Sequence, residues 1–446
     1  MIAPAGKGTA GTVDVLVIGA GHAGLAMSRH LSARGIDHVV LERGEVANSW
    51  RHERWDSLRL LTPNWLAKLP GKEYGGADPD GYMDMRQVID YISDYAASFS
   101  APVYNHTRVL SVSVAGSGYR IDTDRGQWRA RVVVLANGAC NRAHVPAISA
   151  SIPGAVRQIT PIEYRNPQQL EEGGVLVVGA SATGIQLAEE IHQSGRPVTL
   201  AVGEHVRLPR LYRGRDIQWW MTTIGLMDER LEMVDDINRV RHLPSPQLIG
   251  SAERRSLDLN VLSGQGVRLA GRLAGISNNK AQFSGSLRNI CALADLKMAR
   301  LLDSVDEWIE AYGYASGTED RERPGATIIP NTPAMSAELG RAGIRTVLWA
   351  TGYKPDYSWL KVPVLNNKGC INHCGGVVES PGLYALGLPF LRRRKSTFIH
   401  GADDDARELC THLAGYLDSI AASESTFPML SRHRTGATKA PDAAAI

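Results

Sequence analysis

The stretch Val13-Asp-Val-Leu-Val-Ile18-Gly19-Ala-Gly21-His-Ala-Gly24 decides the fold of this 446-residue chain. It joins an apolar run, typical of a buried strand, to a G-x-G-x-x-G turn, and helical periodicity follows. The pattern recurs in Gly174-Val-Leu-Val-Val178-Gly179-Ala-Ser181-Ala-Thr-Gly184. A strand, a turn and a helix of this kind hold the pyrophosphate of a dinucleotide at the helix N-terminus. Two such units predict two dinucleotide sites.

An acidic residue indicates which kind of dinucleotide the first site binds. Glu42 stands 18 residues after Gly24, at the end of the predicted strand segment 36–41. A carboxylate there accepts hydrogen bonds from ribose hydroxyls, so the first dinucleotide is expected to carry an unphosphorylated ribose. The alternatives are a glycine turn in a generic α/β domain and an ordinary surface glutamate.

The second site lacks an acid at the matching position. Val202 stands there, and Glu204, His205, Arg207 and Arg210 follow it. A 2′-phosphate would be repelled by a carboxylate at the strand end and attracted by a nearby guanidinium, so the sequence favours NADPH over NADH. The alternative is that both arginines only solvate a loop.

Besides the two fingerprints, the chain contains the segments Val39-Val-Leu-Glu42-Arg43, Trp50-Arg-His-Glu-Arg-Trp-Asp-Ser-Leu-Arg-Leu60 and Ala350-Thr351-Gly352-Tyr353. Together these segments resemble the class B flavin monooxygenases, the group of flavin-containing monooxygenases, YUCCA enzymes and Baeyer–Villiger enzymes. The resemblance spans roughly residues 12–420, and its implied cofactors are FAD at the first fingerprint and NADPH at the second. The family's F-x-G-x-x-x-H signature is absent, since Val156 and Thr160 replace its glycine and histidine, which disfavours a Baeyer–Villiger enzyme.

The expected site is made of cofactor-binding residues only. No catalytic side chain is assigned, because a flavin carries the chemistry itself, and no metal site is expected. The expected cofactor-binding residues are Gly19, Ala20, Gly21, His22, Ala23, Gly24, Glu42, Arg43, Ser49, Trp50, Arg51, Val109, Gly179, Ala180, Ser181, Ala182, Thr183, Gly184, His205, Arg207, Thr351 and Gly352.

The resemblance also implies a reaction. NADPH would reduce the flavin, O2 would add to give a C4a-(hydro)peroxyflavin, and one oxygen atom would pass to a small organic substrate. Such a reaction is N- or S-oxygenation, or oxidative decarboxylation of a 2-oxo acid. Two alternatives stay open: an NADPH-dependent flavin reductase without oxygen transfer, and a non-catalytic FAD- and NADP-binding regulator. No C-x-x-C pair follows either fingerprint.

Composition limits the partners. A net charge of +3 from 49 basic and 46 acidic residues gives no reason to expect nucleic acid. Eighteen consecutive apolar residues do not occur, so no membrane span is expected. Five cysteines without a disulfide framework indicate a reducing, cytoplasmic setting. The expected partners are a small-molecule substrate and O2, and a homodimer is left open.

The basic run Arg392-Arg-Arg-Lys395 is interpreted as a loop facing the flavin or a solvated turn, and Cys370 and Cys374 as parts of a hairpin.

The predicted fold class is α/β, with two Rossmann-like dinucleotide-binding domains and the NADPH domain inserted into the FAD domain. The expected divisions are a flexible lead (1–12), the first part of the FAD domain (13–168), the NADPH domain (169–320), the second part of the FAD domain (321–423) and a disordered tail (424–446). A helical insertion is expected at about 208–262.

Overall fold

The computed structural model describes residues 11–314, 318–341 and 343–426. The first strand begins at Gly11, two residues before the predicted start, and the last helix continues to Thr426. The rest of the predicted lead and tail lies outside the described residues.

The strands are short, and most belong to two sheets. In chain order they are β1 (Gly11–Ile18), β2 (His38–Leu41), β3 (Lys68–Leu69), β4 (Lys72–Glu73), β5 (Val103–Tyr104), β6 (Val109–Ala115), β7 (Gly118–Thr123), β8 (Gly126–Leu135), β9 (Arg142–Ala143), β10 (Arg157–Ile159), β11 (Gly174–Val178), β12 (Val198–Ala201), β13 (Leu211–Tyr212), β14 (Arg215–Asp216), β15 (Arg268–Ala270), β16 (Leu273–Ser277), β17 (Lys280–Phe283), β18 (Ser336–Glu338), β19 (Ile344–Trp349), β20 (Tyr353–Lys354), β21 (His373–Cys374), β22 (Val377–Val378) and β23 (Leu383–Ala385).

The helices pack against these sheets or lie between them. They are α1 (His22–Ala33), α2 (Asn48–His52), α3 (Met85–Ser98), α4 (Ala182–Gln193), α5 (Ile217–Thr223), α6 (Ile237–Arg241), α7 (Leu259–Gln265), α8 (Leu287–Tyr312) and α9 (Ala402–Thr426). The predicted insertion contains α5, α6, the hairpin β13–β14 and the start of α7.

Each fingerprint lies at the centre of one sheet. The first sheet has the order β21-β22-β23-β8-β1-β2-β5, with β7 and then β6 attached beside β8. The second has the order β10-β19-β11-β12-β15 and is parallel throughout. Residues 15–18 of β1 and 175–178 of β11 are apolar and buried, as central parallel strands require. The mixed α/β fold with two parallel dinucleotide-binding units is confirmed.

The two sheets divide the chain differently from the predicted domain boundaries. Strand β10 precedes the predicted boundary at 168, and β19 follows the one at 320, yet both belong to the second sheet. A short apolar strand carries no local signal for the sheet it joins, because its pairing partners are distant in sequence. The chain crosses between sheets near the antiparallel pair β9–β20.

Candidate functional site

The first glycine-rich turn is shaped by its own backbone. Gly19 has φ of +107°, and a Cβ there would lie 2.5 Å from the carbonyl oxygen of Ala136. At Gly24 a Cβ would lie 1.9 Å from the carbonyl oxygen of Gly19. Gly21 differs, because nothing lies within 4 Å of its ideal Cβ position. Helix α1 begins directly after it without a side-chain cap, which leaves the first-turn N–H groups for an anion.

The second turn repeats the first. Gly179 has φ of +109°, with a Cβ position 2.3 Å from the carbonyl oxygen of Ala350, and the Cβ position of Gly184 is 1.9 Å from the carbonyl oxygen of Gly179. Ser181 replaces the middle glycine and is the N-cap of α4, where its side chain makes no capping hydrogen bond. Both turns therefore fit a pyrophosphate above a helix N-terminus.

Glu42 is placed for the adenosine ribose of the first dinucleotide. It is 7% exposed, and its carboxylate oxygens accept hydrogen bonds from the N–H of Ala20 (2.9 Å) and of Gly44 (3.1 Å). Ala20 belongs to the fingerprint, so the carboxylate is fixed beside the turn. Each carboxylate oxygen keeps a second lone pair with which it can accept a hydroxyl hydrogen. The residues present thus fit an ADP moiety.

Four other predicted residues of the first site lie on the segment that follows β2. Arg43 pairs with Glu53. Ser49, Trp50 and Arg51 lie in α2, and Trp50 packs against the hydrophobic clusters of both sheets.

Two of the predicted residues have structural contacts of their own. The guanidinium of Arg51 donates to Val46 O (3.0 Å) and to Ser93 Oγ (3.1 Å). Val109 begins β6 and is half-buried against the core on one face of the first sheet.

Buried polar atoms without partners lie near the start of α9. Nε2 of His22 and both ring nitrogens of His400 have no hydrogen-bond partner among the described residues. His22 contacts the backbone of Thr397, three residues before His400, so these atoms border one region. Burial lowers the pKa of each imidazole to about 4. Orphaned polar atoms between the first fingerprint and α9 fit a polar ligand such as a flavin. His400 was missed by the sequence analysis, since a single histidine before a helix carries no pattern.

The structure places Arg207 in a buried ion-pair cluster. The residue is 3% exposed, and its guanidinium donates to Asp258 (2.6 Å), to Asp295 (2.7 Å) and to Gly325 O (2.8 Å). Arg210 is equally buried and pairs with Asp216 (2.6 Å). These contacts agree neither with phosphate binding nor with solvation of a loop. Acidic side chains already pair with both guanidinium groups.

His205 lies at the edge of a cavity beyond β12. It is 1% exposed; Nδ1 donates to Gly203 O (3.0 Å), and Nε2 has no partner among the described residues. A carbonyl oxygen can only accept, so Nδ1 carries the proton and Nε2 of the neutral ring is a free acceptor. Burial also lowers the pKa of His205 and so favours this neutral form.

Thr351 and Gly352 lie between the two sheets. They follow β19, whose end contacts the second turn through Ala350. Thr351 Oγ1 donates to His144 O, and the His144 N–H donates to Gly352 O (2.8 Å). These bonds extend the β9–β20 pair and fix the crossing beside the second fingerprint.

The basic run is paired rather than solvated. Each cation contacts an acid, and the acids come from the start of α9 and from the insertion. The pairs are Arg392–Glu408 (2.8 Å), Arg393–Asp405 (3.2 Å), Arg394–Glu229 and Lys395–Asp228 (2.6 Å). The run therefore joins the insertion to α9.

The cysteines are not joined in disulfides. All five are free; Cys370 and Cys374 are exposed, with Cys374 in the hairpin β21–β22. No metal-binding cluster of His, Cys, Asp or Glu occurs within the described residues. The helices of the same residues include none long and apolar enough to cross a membrane.

Comparison with known proteins identifies the family. A model described as "Pyridine nucleotide-disulphide oxidoreductase" matches residues 16–213. An uncharacterized CzcO-like oxidoreductase of Geobacillus kaustophilus is 30% identical over 407 residues, 91% of this chain and 99% of that protein. Indole-3-pyruvate monooxygenase YUCCA1 of Oryza sativa subsp. japonica is 30% identical over 353 residues, 74% of this chain and 85% of that protein. The chain belongs to the class B flavin-dependent monooxygenase family.

The fold of this family member agrees with a solved structure. The flavin-containing monooxygenase from Stenotrophomonas maltophilia matches with a TM-score of 0.63 and 21% identity, covering 91% of this chain and 99% of that one. The chain is an FAD-dependent NADPH oxidoreductase, and the predictions of FAD and NADPH as cofactors are confirmed.

Proposed function

We propose that this flavoprotein is an NADPH- and O2-dependent monooxygenase that inserts one oxygen atom into a small organic substrate. The substrate would be a nucleophilic amine or thioether, or a 2-oxo acid that is decarboxylated. The name of the rice relative, an indole-3-pyruvate monooxygenase, supports the third class.

The proposal rests on the position of the two glycine-rich turns. Both lie next to the segments through which the chain passes between the two sheets. The first turn contacts Ala136, which follows β8, and the chain then enters β9. The second contacts Ala350, from which the chain returns through β20. Because β9 pairs with β20, both dinucleotides would meet at this junction, as hydride transfer between them requires.

Bound FAD would supply the redox and oxygen-activating chemistry, and the protein's residues hold the reactants and exclude water. The first turns of α1 and α4 bind the pyrophosphates, and Glu42 orients one ribose. The Tyr353 side chain lies beside Thr183 in the first turn of α4, which places the crossing strand next to the second fingerprint. His22 and His400 stay neutral at pH 7, so they exchange hydrogen bonds with a ligand but add no positive charge.

Cysteine chemistry is disfavoured as the electron acceptor. Cys140 lies between β8 and β9, where burial raises the pKa of its thiol and Arg54 and Glu53 are its charged neighbours. It is a free cysteine, so a disulfide at this place would need a second thiol. Molecular oxygen therefore remains the favoured acceptor.

The test is an electron balance under air. NADPH oxidation, O2 uptake and H2O2 formation are measured together, first alone and then with a thioether, a tertiary amine and an aromatic 2-oxo acid. Without substrate, NADPH and O2 should be consumed equally with peroxide as the product. A true substrate should lower the peroxide yield while NADPH oxidation continues. An unchanged peroxide yield with every class, together with quinone reduction under argon, would indicate a reductase. Absence of all turnover would indicate a regulator.

A further inference from the structure

A cavity of about 410 Å³ lies beyond the second sheet and has no role in the function described so far. Its volume is within the range of small-ligand sites, roughly 300–1,000 Å³. It opens at the carboxyl ends of β12 and β15, which continue the parallel sheet from β11 and its fingerprint. Ligands of such sheets bind at this edge, and the adenosine end of a dinucleotide extends from the fingerprint in this direction.

Two basic side chains line the cavity, and they differ in whether an acidic side chain pairs with them. Arg272 follows β15, is exposed, and has no side-chain partner in the part of the chain that the structure describes. Lys297 comes from α8, and its ammonium pairs with the Glu204 carboxylate at 3.1 Å. Glu204 is 63% exposed on the loop after β12.

Two further features of the wall suit an adenosine phosphate. The unpartnered Nε2 acceptor of the buried His205 can receive a hydrogen bond from a ribose hydroxyl or an amino group. Ser286, the N-cap of the 26-residue helix α8, also lines the cavity. A helix N-terminus adds partial positive charge toward an anion.

We propose that Arg272 and Lys297 bind the 2′-phosphate of NADPH in this cavity, and that Glu204 weakens this preference. The phosphate would contact the free guanidinium of Arg272 and take the place of Glu204 on Lys297. NADH would leave the Lys297–Glu204 pair intact. Arg207 acts as a structural residue in this arrangement, since its donors are already engaged. The assignment rests on the proposed function, because it requires NADPH at the second fingerprint.

The test compares adenosine 2′,5′-bisphosphate with 5′-AMP by calorimetric titration of the purified FAD-loaded protein. Wild type should bind the bisphosphate more tightly. Arg272→Gln and Lys297→Gln should each reduce the affinity ratio about tenfold or more, the effect of one charge-assisted hydrogen bond, without changing the 5′-AMP affinity. Glu204→Gln should raise the ratio.

The matched control is Arg288→Gln. Arg288 is an exposed arginine on the first turn of α8 that does not line the cavity, so its loss should not change the ratio. A ratio unaffected by Arg272→Gln and Lys297→Gln, or lowered equally by Arg288→Gln, would overturn the assignment. Equal binding of both ligands to wild type would also overturn the assignment of the 2′-phosphate site. That result would not contradict the binding of NADPH at the second fingerprint. Failure of wild type to bind either ligand or NADPH would overturn the proposed function as well.

Discussion

Replacement of Arg207 by alanine should destabilise the protein without changing its choice of nucleotide. The substitution leaves the carboxylates of Asp258 and Asp295 without their cation, and these side chains are only 15% and 19% exposed. Breaking a buried ion pair by removing one partner costs about 3–5 kcal/mol. At about 2–4 °C per kcal/mol for a domain of 150–250 residues, the melting temperature should fall by about 6–20 °C.

The assay is thermal unfolding followed by tryptophan fluorescence, with Kd values for NADPH and NADH measured below the transition. Both nucleotides should be affected equally. The control variant combines Arg207→Met with Asp258→Asn and Asp295→Asn, which removes all three charges and keeps the amide oxygens as acceptors. It should recover part of the lost stability. An Arg207→Ala protein with an unchanged melting temperature and a selective loss of NADPH affinity would refute the structural role.

Three more predictions concern the first site and the effect of pH. Gly24→Ala should prevent correct folding, because its Cβ would lie 1.9 Å from the Gly19 carbonyl oxygen. Gly21→Asp should fold with a normal circular dichroism spectrum but without FAD, because its side chain would enter the open space in which the pyrophosphate would bind. Glu42→Gln should weaken FAD binding about tenfold or more through loss of a charge-assisted hydrogen bond, measured by flavin fluorescence on dilution, and unchanged affinity would exclude the ribose contact. Burial holds the pKa of His400 at about 4, below its unfolded value of 6.5, so its contribution to stability is complete above pH 6.5 and is lost as the pH falls toward 4, by at most about 1.4 kcal/mol per pH unit. Urea titrations of His400→Gln should show a shallower loss across this range, and identical slopes would contradict the linkage.

The parts of the site that the sequence could predict depend on local geometry. Gly19 has a φ of +107°, and a Cβ on Gly24 would meet the carbonyl oxygen of Gly19, so a short motif contains both of these constraints. The same holds for Glu42, which is placed by the strand that follows α1. These units could be located without any knowledge of the remaining chain.

The parts that sequence analysis could not supply depend on distant contacts. Arg207 meets Asp258 and Asp295, which are 51 and 88 residues away, so no local pattern distinguishes it from a free arginine. Arg272 and Lys297 share a cavity only because β15 and α8 pack beside β12. The membership of β19 in the second sheet has the same origin, since its hydrogen-bond partners lie more than 160 residues earlier in the chain.

Oxygen transfer is the central claim, and isotope labelling tests it most directly. The substrate that lowers the peroxide yield is incubated with NADPH and ¹⁸O2 in ordinary water, and its product is analysed by mass spectrometry. Each product molecule should carry one ¹⁸O atom that comes from O2. A product labelled only from water, or complete recovery of the NADPH electrons as peroxide with every substrate class, would contradict a monooxygenase.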